Sequence, residues 1–186
     1  MNKSYKINVA GLSRDLPMFK VNDNLSIAAF ILFGDVELTV NCAKELLKIA
    51  PPHDIMITAE AKSISLIHEM ARQSGVNGYV IARKGPKVYM RDIIDVGVKS
   101  ITTQNEQHLY LGLDEANLMK GKRVLIVDDV ISTGESLLAI EKLVEKAGGN
   151  IVGKIAVLAE GDAKDRSDIG FLEALPLFDG EGNPLN

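Results

Sequence analysis

The chain alternates short apolar runs with stretches that repeat apolar residues at helical spacing, and this alternation predicts most of its elements. Asp35 precedes Val36, Val40, Ala43, Leu47 and Ala50, one face of a helix over residues 35–50, with Asp35 as cap and Pro51-Pro52 as stop. Residues 54–58, DIMIT, form a short buried strand. A loop of small residues, 59–63, leads into a helix over 64–73 with Gly75 as its C-terminal cap. Residues 78–84 form the next strand, and Gly85-Pro86 turns the chain. Val124-Leu125-Ile126-Val127 is an apolar run suited to a central parallel strand buried on both faces. Leu137, Leu138, Ile140, Leu143 and Val144 follow at helical spacing, in a helix from Gly134 to Ala147 that Gly148-Gly149 ends. Residues 151–158 are another apolar strand.

The pattern is less regular elsewhere. Residues 4–17 read as a short strand and a turn, and residues 25–33 as an apolar segment. Residues 98–103 and 108–111 read as strands around a polar tip, Gln104-Asn105-Glu106-Gln107, and residues 114–122 as a connector. Leu175, Leu177 and Phe178 suit an edge strand or packing on the core. The strand–helix alternation of the middle section predicts an α/β fold: a doubly wound, mainly parallel sheet flanked by helices, in one domain spanning residues 1–186.

Composition narrows the class. The 186 residues suffice for one sizeable core, with 46% hydrophobic and 25% charged residues. A net charge of −4 argues against a nucleic-acid binder. The single cysteine, Cys42, excludes an internal disulfide framework and a cysteine-based zinc site, and reads as an inert packed thiol. No apolar leader or membrane-length run is evident, so a cytoplasmic protein without membrane partners is expected.

The chemistry gathers at residues 123–136, RVLIVDDVISTGES. In open α/β sheets ligands bind beyond the carboxyl ends of the strands, which is where Asp128 and Asp129 fall. Paired carboxylates there accept hydrogen bonds from vicinal hydroxyls or help hold a hydrated Mg²⁺. Ser132, Thr133 and Ser136 add hydroxyls, Gly134 allows close backbone approach, and the helix N-terminus favours an anion. A simpler account is a capped helix, with Ser132 or Thr133 as N-cap and Glu135 in the first turn. That account leaves two consecutive acids unexplained. A ligand with a diol and a phosphate one sugar apart fits the layout.

VLIVDDVISTGES resembles the phosphoribosyl-pyrophosphate (PRPP) motif of the type I phosphoribosyltransferases, and the chain looks most like their purine branch. The resemblance implies that family's fold, with a small hood over residues 1–34 and a flexible hairpin flap over 98–112. It implies that Asp128 and Asp129 bind the ribose hydroxyls and that Ser132, Thr133, Gly134, Glu135 and Ser136 cradle the 5′-phosphate. Glu60-Ala61-Lys62-Ser63 is similar to the Glu-Ala-Arg-Gly of adenine enzymes, with Lys62 for Arg and Ser63 for Gly. Ala61, Lys62 and Ser63, with Arg83, Lys84 and Lys87, are the expected pyrophosphate site. Arg14, Phe19 and Phe178 are candidates for base contact, with bracing or core packing as the alternative. Asp129 and Glu106 are the options for accepting the base proton. His108 is either a ligand contact or a surface strand residue, with the second reading preferred. The resemblance implies Mg²⁺ as cofactor, held through PRPP and Asp128 or Asp129, and a homodimer. It further implies phosphoribosyl transfer to a purine, adenine first. The alternatives are a non-catalytic PRPP-binding regulator of the purine-repressor type, or a xanthine or hypoxanthine-guanine enzyme. Glu160, where xanthine-using relatives place Lys, disfavours xanthine.

Overall fold

The computed structural model describes residues 3–99 and 106–185. Five parallel strands form the central sheet in the order β10-β9-β8-β4-β5. They are β4 (Ile55–Ala59), β5 (Val80–Ala82), β8 (Arg123–Ile131), β9 (Asn150–Glu160) and β10 (Gly170–Leu175). Leu125 and Val127 of β8 face a layer built on α1 (Val36–Ile49) and α2 (Ile64–Ser74). Val124 and Ile126 face α3 (Leu113–Met119) and α4 (Glu135–Lys146). Helices therefore cover both faces, as an apolar run without polar alternation requires.

The local signals act as expected in several places. The Asp35 carboxylate accepts the Leu38 N–H at 3.0 Å and caps α1. Gly75 closes α2 in the left-handed conformation, at φ 72°. Cys42 is fully buried, and burial pushes its thiol up to about 12.

Other elements differ from the reading. Residues 4–28 make a three-stranded antiparallel sheet of β1 (Ser4–Val9), β2 (Leu12–Asn22) and β3 (Leu25–Ala28), not one short strand. Ala10 and Gly11, at φ 52° and 77°, form the two-residue turn between β1 and β2. The hairpin comprises β6 (Ile94–Lys99) and β7 (Glu106–Leu111), so its first strand starts earlier than the apolar pattern indicated. The expected tip at Gln104 and Asn105 lies outside the described residues. The connector contains α3. Strand β8 continues through both acids to Ile131, because Asp128 pairs with Ala156 and Val130 with Leu158. No described helix is long and apolar enough to cross a membrane.

Phe178 ties the N-terminal sheet to the central domain. Its backbone exchanges hydrogen bonds with Ser26 at 2.8 and 3.0 Å, and its ring, 1% exposed, meets Tyr5 edge-on at 5.0 Å. Truncating Phe178 to Ala leaves a cavity in that seam and should cost about 3–5 kcal/mol of unfolding free energy in denaturant titration. Phe19, 54% exposed, should cost under about 0.5 kcal/mol when truncated likewise. Similar losses for the two variants would contradict the seam.

Candidate functional site

The carboxyl ends of β4, β5 and β8 open onto a cavity of about 390 Å³. One wall is Asp128, Asp129, Val130 and Ser136. Another is the β4–α2 loop, Glu60 to Ser63, and a third comprises Lys84, His108 and Leu109. A niche of about 90 Å³ adjoins it, lined by Asp128 and the turn from Val130 to Leu137.

Ser63, 1% exposed, joins the two acids. Its hydroxyl accepts the Asp129 N–H at 2.8 Å and stands 2.8 Å from Asp128 Oδ1 and 3.1 Å from Asp129 Oδ1. One hydroxyl proton thus serves two carboxylates. Asp128 Oδ1 also accepts the Asp129 N–H at 2.9 Å. Asp129 is 3% exposed, and its Oδ2 lies 3.3 Å from Lys62 Nζ without a hydrogen bond. Burial, and then the neighbouring Asp129 charge, raises the Asp128 carboxyl well above the ordinary carboxylate range.

The turn after β8 differs from the capped-helix account. Gly134, not Ser132 or Thr133, is the N-cap of α4; it adopts φ 82°, and no side chain caps the helix. The Glu160 carboxyl, at the end of β9, is raised by burial. The positive φ is what favours glycine at 134; a Cβ there would meet only the movable end of the Arg166 side chain, at 2.6 Å.

The expected pyrophosphate residues divide. Ala61, Lys62, Ser63 and Lys84 line the cavity, while Arg83 and Lys87 do not. Arg83 Nη1 pairs with Glu60 Oε1 at 3.2 Å, and Lys87 is exposed. The Lys84 N–H donates to Glu60 Oε2 at 3.1 Å, and this bond leads the causes that lower the Glu60 carboxyl. The peptide between Glu60 and Ala61 is cis.

The base-contact candidates fall elsewhere. Phe178 is core. Phe19 lines a separate groove with Lys20, Ser26 and Gly182. Arg14 binds Asp35 at 2.6 Å and Glu37 at 2.8 Å at the start of α1. Glu106 begins β7, and its side chain lies outside the described residues. His108, for which the sequence offers a ligand contact or, by preference, a surface strand position, lines the cavity.

A Mg²⁺ ion carried by substrate phosphates needs one or two carboxylates, and the buried Asp129 Oδ2 with its partner Asp128 fits that need. Among the described residues no group of three or more His, Cys, Asp or Glu forms a metal cage.

The phosphoribosyl transferase domain model matches residues 53–176, which contain the whole cavity. The chain belongs to that family. Its relatives include hypoxanthine/guanine phosphoribosyltransferases. That of Methanococcus voltae is 37% identical over 113 residues, 61% of this chain and 56% of that protein. That of Methanothermococcus okinawensis is 35% identical over 130 residues, 69% of this chain and 67% of that protein. The chain thus spans little more than half of the first relative. Among solved structures, the adenine phosphoribosyltransferase of Thermoanaerobacter pseudethanolicus superposes with a TM-score of 0.65 at 25% identity, covering 77% of this chain and 84% of that one. The Saccharomyces cerevisiae adenine phosphoribosyltransferase covers 92% of both chains with a TM-score of 0.63 at 19% identity.

The raised Asp128 carboxyl has a cost in stability. The unfolded chain releases this proton at the ordinary carboxylate value and the folded chain at a higher pH, so stability falls as pH rises through that window. Asp128→Asn should therefore unfold at higher temperature than wild type at pH 8, by about 2–4 °C per kcal/mol relieved, with the gap shrinking toward pH 4. Thermal unfolding at both pH values checks it; a variant less stable at pH 8 contradicts the assignment.

Proposed function

We propose that this protein transfers the 5-phosphoribosyl group of PRPP to a purine base, giving the nucleoside monophosphate and pyrophosphate. The observation that carries this reading is the pair Asp128–Asp129, joined by Ser63 at the end of β8 beside the glycine-hinged turn. The two carboxylates accept the ribose 2′- and 3′-hydroxyls, and the turn from Ser132 to Ser136 takes the 5′-phosphate. C1′ of the sugar then lies between the acidic wall and the basic one. A base nitrogen forms the new bond to C1′ as the bond from C1′ to the pyrophosphate oxygen breaks, and the base proton passes to Asp129, the candidate acceptor that lines the cavity. Positive charge builds on C1′, and the Asp128–Asp129 wall favours it. Negative charge builds on the leaving oxygens, and Lys62 and Lys84 lie on the wall that meets it. Mg²⁺, held by Asp128 or Asp129 and the substrate phosphates, supplies charge neutralisation when bound.

Adenine is the base expected from the motif and is the base named for the solved neighbours, while the more identical relatives are named for hypoxanthine and guanine. Purine transfer is the reading common to both. A cytoplasmic homodimer is the setting we propose, checked by sedimentation velocity.

Replacing Asp128 and Asp129 together by Asn should leave the fold intact and weaken PRPP binding by at least about a hundredfold, through loss of charge-assisted bonds to both hydroxyls. Calorimetry with Mg-PRPP tests the site, and unchanged affinity rejects it. Pyrophosphate release with adenine, hypoxanthine, guanine or xanthine tests the activity; release should need base and PRPP together. PRPP binding without release from any base would instead support a sensor.

A further inference from the structure

Ser63 is the N-cap residue of α2, yet its side chain makes no capping bond to the helix. A serine at that position ordinarily accepts an N–H from the first turn. Here the helix starts on backbone alone, with the Ile67 N–H donating to Ser63 O at 3.0 Å and the Ile64 N–H to Ala61 O at 3.2 Å. The hydroxyl turns instead to residues 65 and 66 positions away. It accepts the Asp129 N–H at 2.8 Å and reaches Asp128 Oδ1 at 2.8 Å and Asp129 Oδ1 at 3.1 Å. Ser63 is 1% exposed, so no water replaces these partners, and neither carboxylate turns away without unpairing a buried hydroxyl.

Consecutive residues of a strand point to opposite faces, so Asp128 and Asp129 would diverge on β8. The shared hydroxyl brings one oxygen of each acid to a common point. Asp128 Oδ1 is fixed further by the Asp129 N–H at 2.9 Å. The second oxygen of each carboxylate stays outside this knot. Asp129 Oδ2 has no hydrogen bond and lies 3.3 Å from Lys62 Nζ. Both acids line the cavity, and Asp128 also lines the niche beside the turn. One serine proton serves one carboxylate at a time, so the pair lacks a donor until a ligand brings hydroxyls. Two hydroxyls on adjacent carbons supply both acids, whereas a single hydroxyl leaves one of them unpaired.

We propose that Ser63 is a positioning residue that makes this site select ribose over 2-deoxyribose, by holding Asp128 and Asp129 together to receive two vicinal hydroxyls. The inference rests on the PRPP reading above and deepens it: Ser63, expected from the sequence to hold pyrophosphate, serves the sugar instead. A site built to pair with a hydroxyl rejects the analogue that lacks it, because a buried polar group is then left without a partner. Without the Ser63 hydroxyl the two carboxylates are free to part, and the penalty for a missing sugar hydroxyl falls.

Calorimetry with ribose 5-phosphate, 2-deoxyribose 5-phosphate and magnesium pyrophosphate tests it. Wild type should bind ribose 5-phosphate about tenfold or more tightly than the deoxy sugar. Ser63→Ala should cut that ratio to about threefold or less by weakening ribose 5-phosphate, with pyrophosphate bound as in wild type. Ser63→Cys, close to serine in size with a weak S–H donor, should fall between the two, and it carries the same comparison if the alanine variant does not fold. Four results overturn the assignment: a wild type that binds both sugars equally, a sugar ratio unchanged in the variants, equal weakening of all three ligands, or a loss confined to pyrophosphate. Wild-type protein that binds neither sugar phosphate overturns the PRPP reading, and this inference with it.

Discussion

Two adjacent carboxylates at the end of a buried strand set the terms for the rest of this structure. Removing a carboxylate from water costs several kcal/mol unless it gains partners, and a second beside it adds repulsion. The protein answers with a single serine. Ser63 takes the Asp129 N–H and offers its one proton between Asp128 and Asp129, and Lys62 covers the outer oxygen of Asp129. Both residues come from the β4–α2 loop. That loop reaches the acids because β4 lies directly beside β8, in parallel register from Ile55 with Val124 to Ile57 with Ile126. The strand order and the length of the loop are thus conditions for keeping the carboxylate pair buried. The arrangement remains under-supplied: Asp128 stays hard to ionise, and Asp129 Oδ2 has no hydrogen bond. A pair left in this condition gains from a ligand bearing hydroxyls or a cation.

The cavity's own charges are partnered in the same way. Glu60 holds Arg83 and the Lys84 N–H, and Asp129 holds Lys62. The pairs are of two kinds: Arg83 with Glu60 joins partly exposed groups and is weak in water, whereas Lys62 reaches from the surface to the buried Asp129. On the proposed reading a polyanion takes Lys62 and Lys84 while a diol takes the acids, so binding exchanges partners and need not bury new bare charge. This explains why cations that looked free in the sequence divide in the structure. Arg83 braces Glu60, which orders the loop, and the residues that line the cavity are those on flexible stems.

Much of the fold is legible in the sequence because it rests on local signals. Asp35 as cap, Pro51-Pro52 as stop, Gly75 as a left-handed terminus and the unbroken apolar run of β8 each act within a few residues. The rest depends on partners far along the chain. Ser63 acts on residues 65 and 66 positions away, so the sequence marked its loop without revealing its role. The extent of β8 through Asp128 and Asp129 depends on β9, whose Ala156 and Leu158 continue the ladder under two charged residues. The N-terminal sheet was under-read because the turn at Ala10-Gly11 lacks the Asn-Gly or Asp-Gly signature, and because β2 is exposed along most of its length. Phe178 illustrates the converse. An aromatic in a polar tail suggests a ligand contact, and only the pairing with Ser26 and Tyr5 shows that it closes the core.

The division of labour across the cavity also accounts for what the sequence leaves open about the base. On the proposed reading, the residues with specific chemistry, namely the acids, the hydroxyl turn and the loop cations, serve the sugar and its two phosphate ends. The apolar part of the lining is Ala59, Ala61, Leu109 and Val130. Such surfaces select a flat ring by shape and by main-chain hydrogen bonds, which residue identity does not record. Relatives named for hypoxanthine and guanine and structures named for adenine can therefore share the diacid and the turn while differing in the base they are named for.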